Sequence, residues 1–199
     1  MKLLYTPLSE GDVETLKAGD YVWLSGLIVV ARDQAHARML SLLDEGKPLP
    51  VNLKGLVVYH AGPIALREGE SWRVLSIGPT TSSRFEKQAV NLAAKTGVKM
   101  LVGKGGLSPR SAEVLRKAKA VYCAYPGGVG VLPAKSIVEV VEVHWLDLGV
   151  PEALWILKVE KLGPLLVAID LHGGDLYRDA ASKVKSNLEK INDELGLNF

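Results

Sequence analysis

The chain has 199 residues, of which 48% are hydrophobic and 23% are charged, values that are ordinary for a globular protein of about one domain. A net charge of +2 with scattered basic residues argues against nucleic-acid binding. The single cysteine, Cys123, excludes a disulfide framework and a cysteine-rich metal site, so we expect no metal bound by this chain. No apolar run is long enough to cross a membrane, and residues 1–7 are too short for a signal peptide; we expect a cytoplasmic protein.

The first half of the chain is predicted to consist of strands and one helix. Residues 21–31 are rich in Val, Ile and Trp, which favours a strand, with Gly26 marking a bulge. Residues 32–45 are predicted to form a helix that ends at Gly46. Short strands are predicted over residues 56–59 and 72–77.

From Thr80 onward the pattern predicts alternating helices and strands. Helices are expected over 86–96, from Ser108 to 117, and just after Pro133; strands are expected over 99–102, 120–124 and 137–143. Two strands, 154–159 and 165–170, are predicted to join through Gly163 and Pro164, before an amphipathic helix over 176–195. The pattern predicts an α/β fold, with a mixed sheet and flanking helices, in one domain spanning residues 1–199.

The segment from Gly78 to Arg84 is the most informative part of the sequence. Gly78 and Pro79 break a strand, and the hydroxyl residues that follow are predicted to begin a helix at Thr80. Arg84 then lies one turn beyond Thr80, on the same side. A hydroxyl beside a guanidinium at a helix start suits a small carboxylate or phosphate, although a capped helix with a solvated arginine gives the same pattern.

Further cationic residues are predicted to lie near the same edge of the sheet. Lys104 is set among glycines after a strand, and Arg32 lies at the turn into the first helix. Asp33 is explained by the helix dipole, and His36 is interpreted as a helix-face residue. Glycine-rich segments here do not match nucleotide-binding motifs. The predicted cleft therefore holds anions without a general base, which indicates a half-site completed by another chain.

These segments resemble the β subunit, or C-terminal domain, of the iron–sulfur class I fumarate hydratases and L(+)-tartrate dehydratases. The similarity runs in order over about residues 10–177 and leaves out most of the last helix; Phe85 stands where the family commonly has methionine. The segments that carry it are 31–36, 59–63, 78–84, 101–105, 127–130 and 153–155.

The resemblance implies a swivelling β/β/α domain that acts in a hetero-oligomer. It also implies a partner α subunit that carries a [4Fe–4S] cluster, with one iron free to bind the substrate, a small dicarboxylic acid. By motif position, Arg32, Arg84 and Lys104 would bind the substrate carboxylates, and Thr80 would be the catalytic residue at the proton-transfer position.

Several functions are compatible with this sequence. The leading hypothesis is the β subunit of a hydro-lyase that reversibly hydrates fumarate to malate and is active only with its α subunit. L(+)-tartrate dehydration is the alternative within the same class. Tartrate has one hydroxyl group more than malate, and no residue of the chain is plainly suited to recognise it. A non-catalytic interaction domain and a stand-alone small-molecule binding protein are the rivals from other classes.

Overall fold

The computed structural model describes residues 2–196, which form nine β-strands, six α-helices and two short 3₁₀ turns. The strands are β1 (Lys2–Tyr5), β2 (Tyr21–Val30), β3 (Val57–Tyr59), β4 (Ile64–Glu68), β5 (Ser71–Ser76), β6 (Met100–Gly103), β7 (Val121–Ala124), β8 (Ile137–His144) and β9 (Leu154–Ile169). The helices are α1 (Glu10–Glu14), α2 (Asp33–Asp44), α3 (Glu86–Thr96), α4 (Pro109–Lys117), α5 (Val131–Lys135) and α6 (Leu176–Leu195). The 3₁₀ turns span Ser82–Phe85 and Leu146–Leu148.

Seven strands form one mixed sheet in the order β1-β2-β3-β6-β7-β9-β8. Pairings among β1, β2, β3, β6 and β7 are parallel, whereas β9 runs antiparallel to β2, β7 and β8. Because β9 pairs with both β2 and β7, five strands make a closed circuit of hydrogen-bonded neighbours. The remaining two strands, β4 and β5, form a separate antiparallel hairpin. The predicted α/β class with a mixed sheet and flanking helices is confirmed.

Local sequence signals set the helix boundaries. The Ser108 hydroxyl accepts a hydrogen bond from the Ser111 amide, and Pro109 occupies the first turn of α4, so both predicted start signals operate. Helix α3 ends at Gly97, whose φ of +76° is a left-handed conformation that glycine adopts without steric cost. The predicted bounds of α2, α3, α4 and α6 agree with the structure to within a residue or two, whereas α5 begins at Val131, before Pro133 and not after it.

Alternating side chains of the strands bury two apolar clusters on opposite faces. One face packs Val58, Leu101 and Tyr122 against α2, α3 and α4. The other gathers Val57, Val102 and Trp155 inside the circuit of strands. The five strands of the circuit (β2, β3, β6, β7 and β9) each contribute to both clusters, so the parallel strands among them are apolar on both faces and their ends are held in fixed positions.

The prediction of two strands joined through Gly163 and Pro164 was wrong, because β9 is continuous over sixteen residues. A Cβ atom on Gly163 would lie 2.8 Å from the Val22 carbonyl oxygen. The glycine therefore allows β2 and β9 to approach closely, where the sequence had suggested a turn. Strand β1, helix α1 and strand β4 were not predicted; all three are short, and periodicity is weak over so few residues.

Within residues 2–196, no helix combines the length and the apolar character that a membrane span requires. Helix α6 is the longest helix among these residues, and its apolar positions are solvent-exposed.

Candidate functional site

The site lies where β3 and β6 end at the carboxyl edge of the sheet. Residues 79–81 form an extended strap that crosses this edge; Pro79 bridges Ala61, and the Thr80 amide donates to the His60 carbonyl at 2.6 Å. On the other side, the Lys104 amide donates to the Thr80 carbonyl at 3.2 Å. Thr80 and Lys104, predicted separately from two loops, are therefore direct backbone neighbours.

The predicted helix start at Thr80 was wrong. Thr80 is extended, and the chain turns only at the 3₁₀ segment Ser82–Phe85 before α3 begins. The amide of Thr80 and that of Ser82 both donate to backbone carbonyls, the latter to Lys104 at 3.0 Å. Because these donors are already paired, they are not free to bind an anion as the amides of a helix N-terminus would be. The side chains must supply that function.

Arg32 and Arg84 converge on one carboxylate. The Arg32 Nε atom lies 3.3 Å from the Asp33 Oδ2 atom, and an Nη atom of Arg84 donates to that same oxygen. Arg32 Nε also lies 2.8 Å from an oxygen of Glu152. Gly62 lies against the Arg32 side chain, since a Cβ on it would come within 3.0 Å of the guanidinium. The two predicted arginines are thus brought together around a carboxylate.

The charge on Asp33 is maintained by these arginines. Burial favours its neutral form, but the hydrogen bonds and charges of Arg84 and Arg32 outweigh burial and lower the pKa of this carboxyl. The sequence interpretation of Asp33 as a dipole residue missed this role, although its position next to Arg32 was a usable signal. Glu152 carried no signal, because 120 residues separate it from Arg32 and only the fold joins them.

Lys104 faces a cavity of about 480 Å³ beside the strap. Its ammonium lies 3.6 Å from the position that a Cβ atom on Gly127 would occupy. The cavity walls are mostly apolar and aromatic: Tyr21, Gly105, Ala124, Tyr125, Pro126, Gly127, Pro164, Leu166 and Tyr177 surround Lys104. The Lys104 side chain therefore packs against the Gly127 backbone at ordinary contact distance.

The glycine-rich segments predicted to cluster do so. The Ile77 amide donates to the Gly130 carbonyl at 2.8 Å, and Gly78 faces the Gly130 backbone closely. Thr80 is 9% exposed, whereas the side chains of Arg32 and Arg84 are 25% and 47% exposed. A small anion can therefore reach both guanidinium groups from outside, while the hydroxyl-bearing residue is largely covered.

Among residues 2–196, no group of three or more His, Cys, Asp or Glu side chains is arranged to hold a metal ion. Cys123 is buried in the sheet, and burial raises the pKa of its thiol, which disfavours the thiolate that metals require. The residues of this chain therefore do not fit an iron–sulfur cluster, which needs several thiolates. What the site contains is two guanidinium groups around the Asp33 carboxylate and the Lys104 ammonium beside a cavity.

Comparison with known proteins identifies the family of this chain. The model of the family described as "Fumarase C-terminus" matches residues 3–180. The chain is 39% identical over 194 residues to the L(+)-tartrate dehydratase subunit beta of Escherichia coli (strain K12), covering 98% of this chain and 95% of that protein. It is 40% identical over 198 residues to a putative L(+)-tartrate dehydratase subunit beta of Methanocaldococcus jannaschii, covering 99% of this chain and 100% of that protein.

A third relative is longer than this chain. The putative fumarate hydratase class I of Geobacillus stearothermophilus is 35% identical over 189 residues, which cover 94% of this chain but 35% of that protein. Similarity over almost the whole chain, at these levels of identity, leaves one conclusion: the chain belongs to the Fumarase C-terminus family.

Proposed function

We propose that this chain is the β subunit of a hydro-lyase that reversibly hydrates fumarate to malate. It supplies carboxylate-binding residues to an active site that it shares with an α subunit. The observation that carries the proposal is the convergence of Arg32 and Arg84 on one carboxylate, that of Asp33. Two guanidinium groups already arranged around a carboxylate are suited to bind the carboxylate of a substrate close by.

The chemistry assigns a role to each cation. Taking a proton from the carbon next to a carboxylate moves the C–H electron pair toward the carboxylate oxygens, so negative charge grows there. Arg32, Arg84 and Lys104, fixed in place before the reaction, stabilise that charge more in the transition state than in the substrate. Guanidinium groups also orient the diacid through paired hydrogen bonds.

Thr80 is assigned to the proton-transfer position. Its backbone is held on both sides, by His60 and by Lys104, which fixes the direction of its side chain relative to the lysine. A hydroxyl is a weak base unless a neighbouring group accepts its proton. We assign that activating group to a carboxylate of the α subunit. On this assignment Thr80 can accept a proton only in a site that both subunits share.

L(+)-tartrate is the second candidate substrate. The relatives that are 39–40% identical carry the name L(+)-tartrate dehydratase subunit beta, and they match this chain over nearly its full length. Malate and tartrate differ by one hydroxyl group, and both present two carboxylates to the same cations. Turnover of the two substrates by the assembled enzyme distinguishes between them.

The remaining parts of the proposal concern partner, cofactor and fold. The [4Fe–4S] cluster is assigned to the α subunit, since this chain has one buried cysteine, and the assembly is a hetero-oligomer in the cytoplasm. Residues 1–199 are proposed to form one domain of the swivelling β/β/α type. The family match over residues 3–180, and a sheet that shares its strands between both apolar clusters, support a single unit.

The test is co-expression with the candidate α chain, anaerobic reconstitution, and comparison of fumarate, malate and tartrate turnover. Arg84→Ala and Lys104→Ala should each lower kcat/KM by about 100-fold or more, because each removes a charge that stabilises the transition state. Lys117→Ala is the matched control, since its ammonium pairs with Glu113 on the outside of α4. Unchanged turnover in both charge-removing variants contradicts the proposal.

Thr80 is tested separately in the same assembly. Thr80→Ala should abolish most turnover, while Thr80→Ser keeps the hydroxyl and should retain a measurable fraction of it. If both variants turn over the diacid as fast as the unmodified complex, Thr80 has no part in the mechanism.

A further inference from the structure

A row of buried polar side chains lies directly behind the strap. His60, Ser82 and Tyr122 are each 0% exposed. The Ser82 hydroxyl oxygen lies 2.9 Å from His60 Nδ1 and 3.1 Å from the Tyr122 hydroxyl oxygen, which in turn lies 2.8 Å from the Gly105 carbonyl oxygen. The row therefore runs from the end of β3, under the strap, to the loop that carries Lys104.

Counting protons assigns a direction to every bond in this row. The Gly105 carbonyl can only accept, so the single phenolic proton of Tyr122 must be donated to it. Tyr122 can then only accept from Ser82, and Ser82, having donated its one proton, can only accept from His60. This is the single arrangement that satisfies all three contacts, and it places the His60 proton on Nδ1. Burial lowers the pKa of His60 well below its usual value, so its ring is neutral and carries its one proton on Nδ1.

The row leaves no spare space. A Cβ atom on Gly103 would lie 1.9 Å from the Ser82 hydroxyl oxygen and 3.2 Å from His60 Nδ1. Only glycine at this position lets the Ser82 hydroxyl reach both partners. These hydrogen bonds therefore require glycine at position 103, the last residue of β6 before Lys104.

We propose that Tyr122, supported by Ser82 and His60, is a positioning residue that holds the Lys104 loop for substrate binding. Its hydroxyl donates to the carbonyl of the residue that follows Lys104, and Ser82 donates its own amide to the Lys104 carbonyl. Lys104 is therefore fixed by hydrogen bonds at its own carbonyl and at that of its neighbour. The inference rests on the proposed function, because it assigns Lys104 to the substrate.

The decisive experiment is a double-mutant cycle in the assembled αβ complex. Tyr122→Phe removes one hydroxyl and keeps the ring, so it should lower kcat/KM for the diacid by about three- to tenfold, the value of one hydrogen bond. In a Lys104→Ala background the same change should have less than about a twofold effect, since the group it positions is gone. In an Arg32→Ala background the full effect should remain, because Arg32 contacts none of the three residues of the row.

A merely structural tyrosine gives a different result. The positioning role is refuted if Tyr122→Phe lowers kcat/KM by the same factor in the unmodified complex and in the Lys104→Ala background. It is also refuted if Tyr122→Phe leaves kcat/KM of the unmodified complex unchanged. Ser82→Ala should reproduce the coupling to Lys104. Ser25→Ala is its matched control, because Ser25 is also a buried serine, but it lies in the middle of β2 and accepts a hydrogen bond from the Lys161 amide.

A second readout separates this inference from the proposed function. Amide hydrogen exchange of the purified chain measures the Lys104 amide, which donates to the Thr80 carbonyl. Tyr122→Phe and Ser82→Ala should speed exchange at Lys104 by about three- to tenfold, while Ser25→Ala should not. If the unmodified complex neither hydrates fumarate nor dehydrates malate or tartrate, the proposed function fails. The exchange result then decides by itself whether the row holds the loop, and unchanged exchange in the variants overturns the inference.

Discussion

The two buried histidines make the chain sensitive to mild acid. His36 is 0% exposed, and burial lowers its pKa to about 4, although the Arg32 carbonyl and the Asp33 charge partly oppose this shift. In the unfolded chain its pKa returns to about 6.5. Between these values the unfolded state binds a proton that the folded state excludes, so stability falls as the pH falls through this range. At about pH 5 the loss from His36 alone is about 2 kcal/mol.

Chemical denaturation of the purified chain at about pH 7.5 and about pH 5 measures this loss. His36→Gln should reduce the difference in unfolding free energy between the two pH values by about 2 kcal/mol, leaving the part due to His60, whose pKa is also lowered by burial. His172→Gln is the control, because that imidazole is exposed. If the His36 variant loses as much stability as the unmodified chain, His36 is not held neutral in the core.

Two further predictions concern packing. Gly103→Ala should lower the free energy of unfolding by at least about 2 kcal/mol, because its Cβ would overlap the Ser82 hydroxyl, whereas Gly11→Ala in α1 should be neutral or slightly stabilising, since nothing there lies closer than 3.7 Å. Thermal or denaturant unfolding compares the two; equal effects would refute the steric argument. Leu188→Ala on α6 should cost less than about 0.5 kcal/mol because Leu188 is 56% exposed, whereas the same change at the buried Leu115 should cost about 2–5 kcal/mol. A large loss at Leu188 in the purified chain would show that α6 packs against the domain.

Most of the regular elements could be predicted because their signals are local. The cap at Ser108, the stop at Gly97 and the β-branched run of β2 each act over a few residues. The continuity of β9 could not be predicted in this way. The Gly163-Pro164 pair has the composition of a turn, and only the approach of β2 to Gly163 shows that the strand passes through.

The site shows the same division between local and long-range information. Glycine-rich loops after apolar strands were enough to predict that Lys104 and Thr80 lie at one edge of the sheet. The conformation of Thr80 was not predictable, since an extended strap forms only when its amides find carbonyls on two loops distant in sequence. Glu152 was missed because only the fold brings it to Arg32, and Asp33 was interpreted as a helix-dipole residue although Arg32 is its sequence neighbour; the predicted cleft therefore looked purely cationic.

That correction changes the electrostatic argument for a shared site. The site has three positive charges, on Arg32, Arg84 and Lys104, and two negative charges, on Asp33 and Glu152. Its net charge is therefore about +1, whereas a dicarboxylate substrate carries about −2 at neutral pH. The Thr80 and Ser82 amides already donate to backbone carbonyls, so these two donors do not make up the difference. If the chain binds a diacid as we propose, we expect a second chain to contribute positive charge or hydrogen-bond donors that hold both ends of it. The charge balance of these residues is thus a second argument for the proposed shared site, beside the absence of a general base.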